Sequence, residues 1–164
     1  MNKDYKEFNS FIVDITNNEK FKELRKQPHH GITRYEHLMR TTFYTYKVCK
    51  FFHKKNIKDV VRATLLHDFY TDDDLTGNGA QRLGSHPLVA LANATKYFEL
   101  NDMQKDIIKS HMFPCNLIVP KYKESWLVTT MDKVVSTYEM LRFKLPLKCK
   151  NYFGHLFKKL SVEE

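Results

Sequence analysis

Six good ligands for divalent metals, His37, His67, Asp68, His86, His111 and Asp132, are scattered along this chain, and only His67 and Asp68 are neighbours. A zinc finger or a calcium loop keeps its ligands within short local spacings. Spacing this wide demands a fold in which separate elements each turn one side chain toward a common centre. A helical bundle meets that demand, because a helix can present one inward ligand from an otherwise apolar stripe.

Composition agrees. The chain has 164 residues, enough for one domain with a sizeable core, and 42% of them are hydrophobic. With only five Gly and five Pro, long helices with short connections are expected rather than a turn-rich β protein. The expectation is an all-α fold, one domain over 1–164, with helices in 3–26 and 150–160 packed on a core of 30–144. The formal charge is +8, with Lys20, Lys54, Lys105, Lys123 and Lys158 spread along the chain. Dispersed lysines read as solvated helix faces that also attract small anions, so a nucleic-acid partner is not expected. Cys49, Cys115 and Cys149 lack metal spacing. An odd number of cysteines behind a charged N-terminus fits a reduced, cytoplasmic protein. No apolar run approaches the ~18 residues of a membrane span. Oligomeric state is not legible.

The ligands fall on predicted elements as follows. Residues 3–16 read as an amphipathic helix with Tyr5, Phe8, Ile12 and Ile15 on one stripe, and a short helix follows over 19–26. Thr33-Arg34-Tyr35-Glu36 matches a capping box and opens a helix to about Lys55, with His37 one turn inside. Residues 57–69 read as a buried helix closed by His67 and Asp68, two ionisable groups that are costly if buried unpaired. Tyr70 to Gly84 reads as a long loop, after which Ser85 caps a helix that has Pro87 in its first turn, placing His86 at the N-terminus. Asn101, with Gln104 three residues on, caps a helix carrying His111. The last long helix, Lys121 to Lys144, carries Asp132 in an apolar stripe of Val128, Met131 and Val135. His29, His30, His53 and His155 read as structural histidines, Glu36 as a cap, and the run Asp72-Asp73-Asp74 as a solvated loop.

Imidazoles and carboxylates without thiolates suit Mn, Fe, Co, Ni, Zn or Mg. Six ligands exceed the need of one site that also holds substrate, and they suit two divalent metal ions that share a carboxylate. Asp68 is the natural bridge. One ion takes His37, His67, Asp68 and Asp132; the other takes Asp68, His86 and His111. Two aspartates leave two divalent ions undercompensated, so the centre attracts an anion and acidifies a bridging water.

The stretches TRYEHLMR, LLHDFY, GSHPLVALANA, IIKSHMFP and TTMDKVVSTYE resemble the HD-domain superfamily of metal-dependent phosphohydrolases, over nearly all of residues 30–142. The likeness extends to a small bacterial group of two-metal HD proteins. It implies a helical bundle around a buried metal site, and a small phosphorylated substrate such as a nucleotide. Cyclic-dinucleotide phosphodiesterases of the superfamily carry Gly-Lys shortly after the HD pair. This chain has Phe69-Tyr70-Thr71-Asp72 instead, which argues against that substrate. Single-metal nucleotidases of the superfamily place an acidic proton shuttle soon after HD; Asp72 or Asp73 stands there in this chain.

The resulting expectation is hydrolysis of a phosphate ester by a metal-bridging hydroxide, with Asp68 at the centre and Asp72 or Asp73 protonating the leaving group. Arg34, Arg40, Arg82, Lys109 and Lys133 lie near the ligands in sequence as candidate phosphate contacts. Arg82 is favoured, because a loop side chain can fold over the site. Two rivals share the ligand pattern: a di-iron oxygenase, with Tyr35 and Glu36 as possible extra ligands, and a metal-stabilised domain that binds a nucleotide without turnover.

Overall fold

The computed structural model describes residues 3–29 and 31–144. The expected helix over 150–160, His30 and His155 lie outside them. Among the described residues the fold is all-α apart from one two-stranded hairpin.

Helix α1 (Lys3–Thr16) buries Phe8, Ile12 and Ile15 along one stripe, as its periodicity predicts. Phe8 packs edge-on against Phe43, with ring centroids 5.4 Å apart. Helix α2 (Glu19–Lys22) is capped by the Asn18 side chain and runs into a tighter turn, Glu23–Lys26. There Phe21 and Leu24 are buried. Strands β1 (Pro28–His29) and β2 (Ile32–Thr33) then pair antiparallel, His29 opposite Ile32. Gly31, at the turn, has φ of +90°, and a Cβ there would meet the Cβ of Phe143 at 2.9 Å. Only glycine suits both demands.

Helix α3 (Arg34–Phe51) starts at the expected capping box. The Thr33 hydroxyl accepts from the Glu36 amide at 3.2 Å, and the Glu36 carboxylate accepts from the Thr33 amide at 2.8 Å. It ends four residues before the predicted Lys55. His53 adopts φ of +49°, the His53 amide donates to the Lys50 carbonyl at 3.1 Å, and the Lys54 amide donates to the Cys49 carbonyl at 3.0 Å. This is a Schellman closure with histidine where glycine is usual, which makes the stop hard to see in sequence. Helix α4 (Ile57–Leu66) is buried along most of its length.

The largest correction concerns helix α5 (Gly79–Tyr97). Its cap is Asn78, not Ser85: the Asn78 side chain accepts from the Gln81 amide at 3.2 Å and the Gln81 side chain accepts from the Asn78 amide at 2.9 Å. His86 therefore lies in the body of the helix, with Pro87 inside it. The loop is correspondingly short, and it holds a tight helical turn, Asp72–Asp74. Helix α6 (Asp102–Ser110) has the expected Asn101–Gln104 box. Helix α7 (Lys123–Glu139) starts two residues late, and after Glu139 the chain widens into a π-type turn, Met140–Lys144, instead of continuing as α-helix.

Helix α3 packs against α4 and α7, and α6 packs against the same two, so four helices close a ring. Helix α5 leans on α6, and α1 covers α4. Leu38, Leu65, Leu66, Phe69 and Ile108 form the apolar core with α1, while Cys49, Val60, Ile107 and Val128 form a second cluster. Among the described residues no helix is long and apolar enough to cross a membrane.

Candidate metal centre

Each ligand imidazole is aimed by a bond to its Nδ1. His67 caps α4, and its Nδ1 lies 2.6 Å from the Thr64 carbonyl oxygen. His111 caps α6 in the same way, with Nδ1 2.7 Å from the Ile108 carbonyl. Folding the ring onto the carbonyl three residues back satisfies a helix-end acceptor and throws Nε2 beyond the helix end. Inside α5, His86 Nδ1 lies 3.2 Å from the Arg82 carbonyl. In α3, His37 Nδ1 lies 2.8 Å from Oε2 of Glu139. Carbonyls and carboxylates only accept, so all four Nδ1 atoms carry hydrogen. A neutral ring then has its lone pair on Nε2.

The four Nε2 atoms converge on Asp68 and Asp132. Asp132 Oδ1 is 3.3 Å from His37 Nε2 and 3.5 Å from His67 Nε2. Asp68 divides its oxygens: Oδ2 lies 3.9 Å from His67 Nε2, while Oδ1 lies 3.3 Å from His86 Nε2 and 3.4 Å from His111 Nε2. All six side chains are buried. His37 Nε2, His67 Nε2 and Asp68 Oδ1 have no hydrogen-bond partner. The Nε2 atoms of His86 and His111 face each other at 3.1 Å. Two lone pairs at that separation repel unless a proton or a cation stands between them. Buried polar atoms left in this condition are costly, and a bound cation removes the cost. Within the cluster, His37, His67 and Asp132 form one group, and His67, Asp68 and His111 another, whose ligand atoms lie within 4.8 Å of one another and can hold a metal ion.

The electrostatics say the same. Burial opposes the charged form of Asp68 and Asp132, yet the surrounding imidazoles outweigh it and hold both carboxyls well below the ordinary aspartate range. Burial also opposes charge on His37, but the Asp132 and Glu139 carboxylates beside it hold that ring up at about 10. His67 is raised against burial by Asp68 and Asp132, whereas burial dominates at His111 and lowers it. Protons thus occupy part of the centre and must leave when a cation enters, so metal affinity rises with pH.

A cleft of about 250 Å³ opens onto the cluster, lined by Asp68, His86 and Asp132 together with His29, Tyr70, Leu75, Gly79, Arg82, Leu83, Met112 and Ser136. Of the candidate substrate residues, Arg82 alone lines it, from the first turn of α5 and not from a loop. Arg34 is buried against Tyr70, 4.0 Å above its ring, and donates to the Tyr70 carbonyl at 2.9 Å and to Asp72 at 3.0 Å. Tyr70 in turn lies over His86, with ring centroids 5.2 Å apart. Arg34 therefore supports the wall of the cleft. Lys109 pairs with Asp106 at 3.6 Å, and Lys133 donates to the His111 carbonyl at 3.0 Å. Asp72, 49% exposed, is held by Arg34, and Asp73 is exposed; neither lines the cleft. Glu36 stays in its capping box, and Tyr35 packs on Phe21 and beneath Arg25, away from the ligands.

Three site residues escape the sequence reading. Glu139 is fully buried, with its second oxygen paired to Arg40 at 2.5 Å. It stands seven residues after Asp132 on α7, two helical turns along the same face, and that spacing is a usable signal. Tyr70 has no periodic signature. His29, read as structural, has its ring centroid 4.5 Å from that of His37.

No family model, curated protein or solved structure matches this chain.

Proposed function

We propose that this chain is a metal-dependent phosphohydrolase acting on a phosphate ester of a nucleotide or a similarly small metabolite, and that it belongs with the HD-type proteins its motifs resemble. One observation carries the reading: Asp68, at the floor of an open cleft, lies between imidazoles oriented by their Nδ1 bonds, with Oδ2 3.9 Å from His67 and Oδ1 3.3 and 3.4 Å from His86 and His111. That donor set fits two divalent ions. Bound there, such ions supply Lewis acidity toward phosphate oxygens and lower the pKa of water.

The residues of the chain divide the remaining work. Asp68 and Asp132 fix the anionic floor, and Glu139, Thr64, Arg82 and Ile108 hold the four rings in place. The Arg82 side chain stands at the mouth, where its guanidinium can meet phosphate oxygens that project from the floor. Leu75, Leu83, Met112 and the Tyr70 ring give the cleft an apolar wall for the organic part of the substrate. Its volume, about 250 Å³, is below the ~300–1,000 Å³ of pockets for drug-sized ligands. That favours a small phosphorylated molecule, or the phosphate end of a larger one. With Asp72 and Asp73 outside the cleft, solvent at the mouth is the proton source for the leaving group.

The test is direct. The purified chain, stripped with chelator and reloaded separately with Mn, Co, Ni, Mg or anaerobic Fe, is assayed on phosphomonoesters, phosphodiesters and nucleotides. Phosphate release that depends on added metal and disappears in Asp68→Ala supports the reading. No release under any metal refutes it. Iron retention with substrate-dependent oxygen uptake would put an oxygenase in its place.

A further inference from the structure

We infer that His29 is a seventh metal ligand, delivered by the β1–β2 hairpin to the His37 side of the centre. This inference rests on the two-metal reading above. The ligand atoms of His29, His37 and Asp68 lie within 4.8 Å of one another. His37 and Asp68 are both buried, and His37 Nε2 has no hydrogen-bond partner. His29 also lines the cleft, half-buried, with its ring centroid 4.5 Å from that of His37.

The hairpin that carries it is fixed at several points. Gly31 makes the turn in close contact with Phe143, and the Arg34 amide donates to the Gln27 carbonyl at 2.8 Å. The Gln27 side chain accepts from the Asp72 amide at 3.0 Å. The imidazole is thus presented by a braced backbone and needs no long-range closure to reach the cluster.

A seventh donor makes the centre unequal. The His37 side then has His29, His37, His67, Asp68 and Asp132, while the His86 side has Asp68, His86 and His111. First-row divalent ions with oxygen and nitrogen ligands commonly take six donors. The His37 side is then nearly filled by protein, and the His86 side keeps most of its positions open. Arg82 stands on that open side, one helical turn before His86 in α5. The substrate phosphate consequently docks on the His86 side, between the floor and Arg82, and His29 acts as a stable ligand and not as a substrate contact.

The experiment is a Mn²⁺ titration of the chelator-stripped full chain, following calorimetric heat and bound metal, for wild type, His29→Ala and His29→Gln. Thermal melts without metal establish that each variant is folded. The expected result is two equivalents for wild type. In both variants one equivalent weakens at least tenfold and the other is unchanged. A Co²⁺-loaded sample should show the same selectivity, as a changed visible spectrum for one of the two ions. Variants that bind both equivalents like wild type overturn the inference and leave the phosphohydrolase reading intact, and a raised KM with unaltered binding would mark His29 as a substrate contact. A wild-type chain that takes up no metal overturns both. If His29→Ala fails to fold, His29→Gln, which keeps size and polarity, decides on the same criteria.

Discussion

Glu139→Gln separates the aiming of a ligand from the ligand itself. Glu139 is wholly buried and accepts two charge-assisted bonds, from His37 Nδ1 at 2.8 Å and from Arg40 at 2.5 Å. Glutamine preserves the shape but has one accepting oxygen. If that oxygen faces His37, the amide NH2 confronts the Arg40 guanidinium; if it turns, the NH2 confronts His37 Nδ1–H. One bond is lost either way, and the remaining partner is a neutral amide that leaves His37 less basic. Loss of an outer partner of a ligating histidine lowers metal affinity by about 10–100-fold, or about 1.4–2.8 kcal/mol. The loss falls on the His37-side ion, because His86 and His111 are aimed by Arg82 and Ile108 carbonyls that the change does not touch. Glu139→Ala adds a folding penalty. Breaking a buried pair costs about 3–5 kcal/mol, and Arg40, 29% exposed, rehydrates in part, so the low end applies. Metal titration and a urea melt of the metal-free variants measure the two effects separately. If Glu139→Gln binds both ions like wild type while Glu139→Ala loses stability, Glu139 serves folding only and the proposed aiming is wrong.

Four further outcomes are expected. Asp68→Ala removes both metals, whereas His86→Ala removes one, as counted by metal analysis after gel filtration; two retained equivalents in Asp68→Ala would exclude a shared carboxylate. Asp72→Asn and Asp73→Asn leave turnover within about twofold, since neither side chain reaches the cleft; a drop of about 10²-fold in kcat, typical of a lost proton donor, would return the leaving-group role to them. The Asp74 carboxylate accepts from the Thr71 amide and hydroxyl and from Asn93. Burial alone would raise it, but these bonds and Lys20 hold it below the ordinary 3.8. Its contribution is therefore present above pH 3.8 and lost as pH falls through the lower folded-state value, and Asp74→Asn should flatten acid denaturation in that window. Phe8→Ala, which empties a site between α1 and the Phe43 and Tyr46 rings, should cost about 3–5 kcal/mol in urea melts; a cost below about 1 kcal/mol would mean that α1 is not part of the cooperative core.

Element type and the burial of the six candidate ligands were legible in the sequence because both depend on local rules. Capping boxes at Thr33 and Asn101 marked helix starts that the structure keeps, and apolar stripes with one stray His or Asp marked the inward faces. The same rules misread α5. Ser85 and Pro87 look like a helix start, but Asn78–Gln81 forms a stronger one, and a proline already inside a helix forfeits one backbone bond without ending it. Arg34, Lys109 and Lys133 were out of reach for another reason. Proximity in sequence to a ligand says nothing about direction when successive helical residues diverge by about 100°. The partners of Arg34 and Lys133, the Tyr70 and His111 carbonyls, are tertiary facts, whereas Lys109 pairs with Asp106 one turn back on its own helix.

The candidate ligands add polar contacts between helices that the apolar clusters already join. His37, Asp132 and Glu139 join α3 to α7, while His67, Asp68, His86 and His111 join the ends of α4 and α6 to the middle of α5. The core beneath α1 draws chiefly on α3, α4 and α5 and meets the cluster at Ile108 and Tyr70. Cations bound at the centre would act as a further source of cohesion at one end of the ring, and their binding energy would appear as folding stability through mass action: about 2.7 kcal/mol at a free metal concentration a hundredfold above Kd. In hydrogen exchange, chelation should accordingly release amides around Asp68, His86 and Glu139 while those of Ile12, Leu38 and Leu65 stay protected. Uniform loss of protection across both groups would show that the metal centre and the core are one cooperative unit, and the division of labour described here would fail.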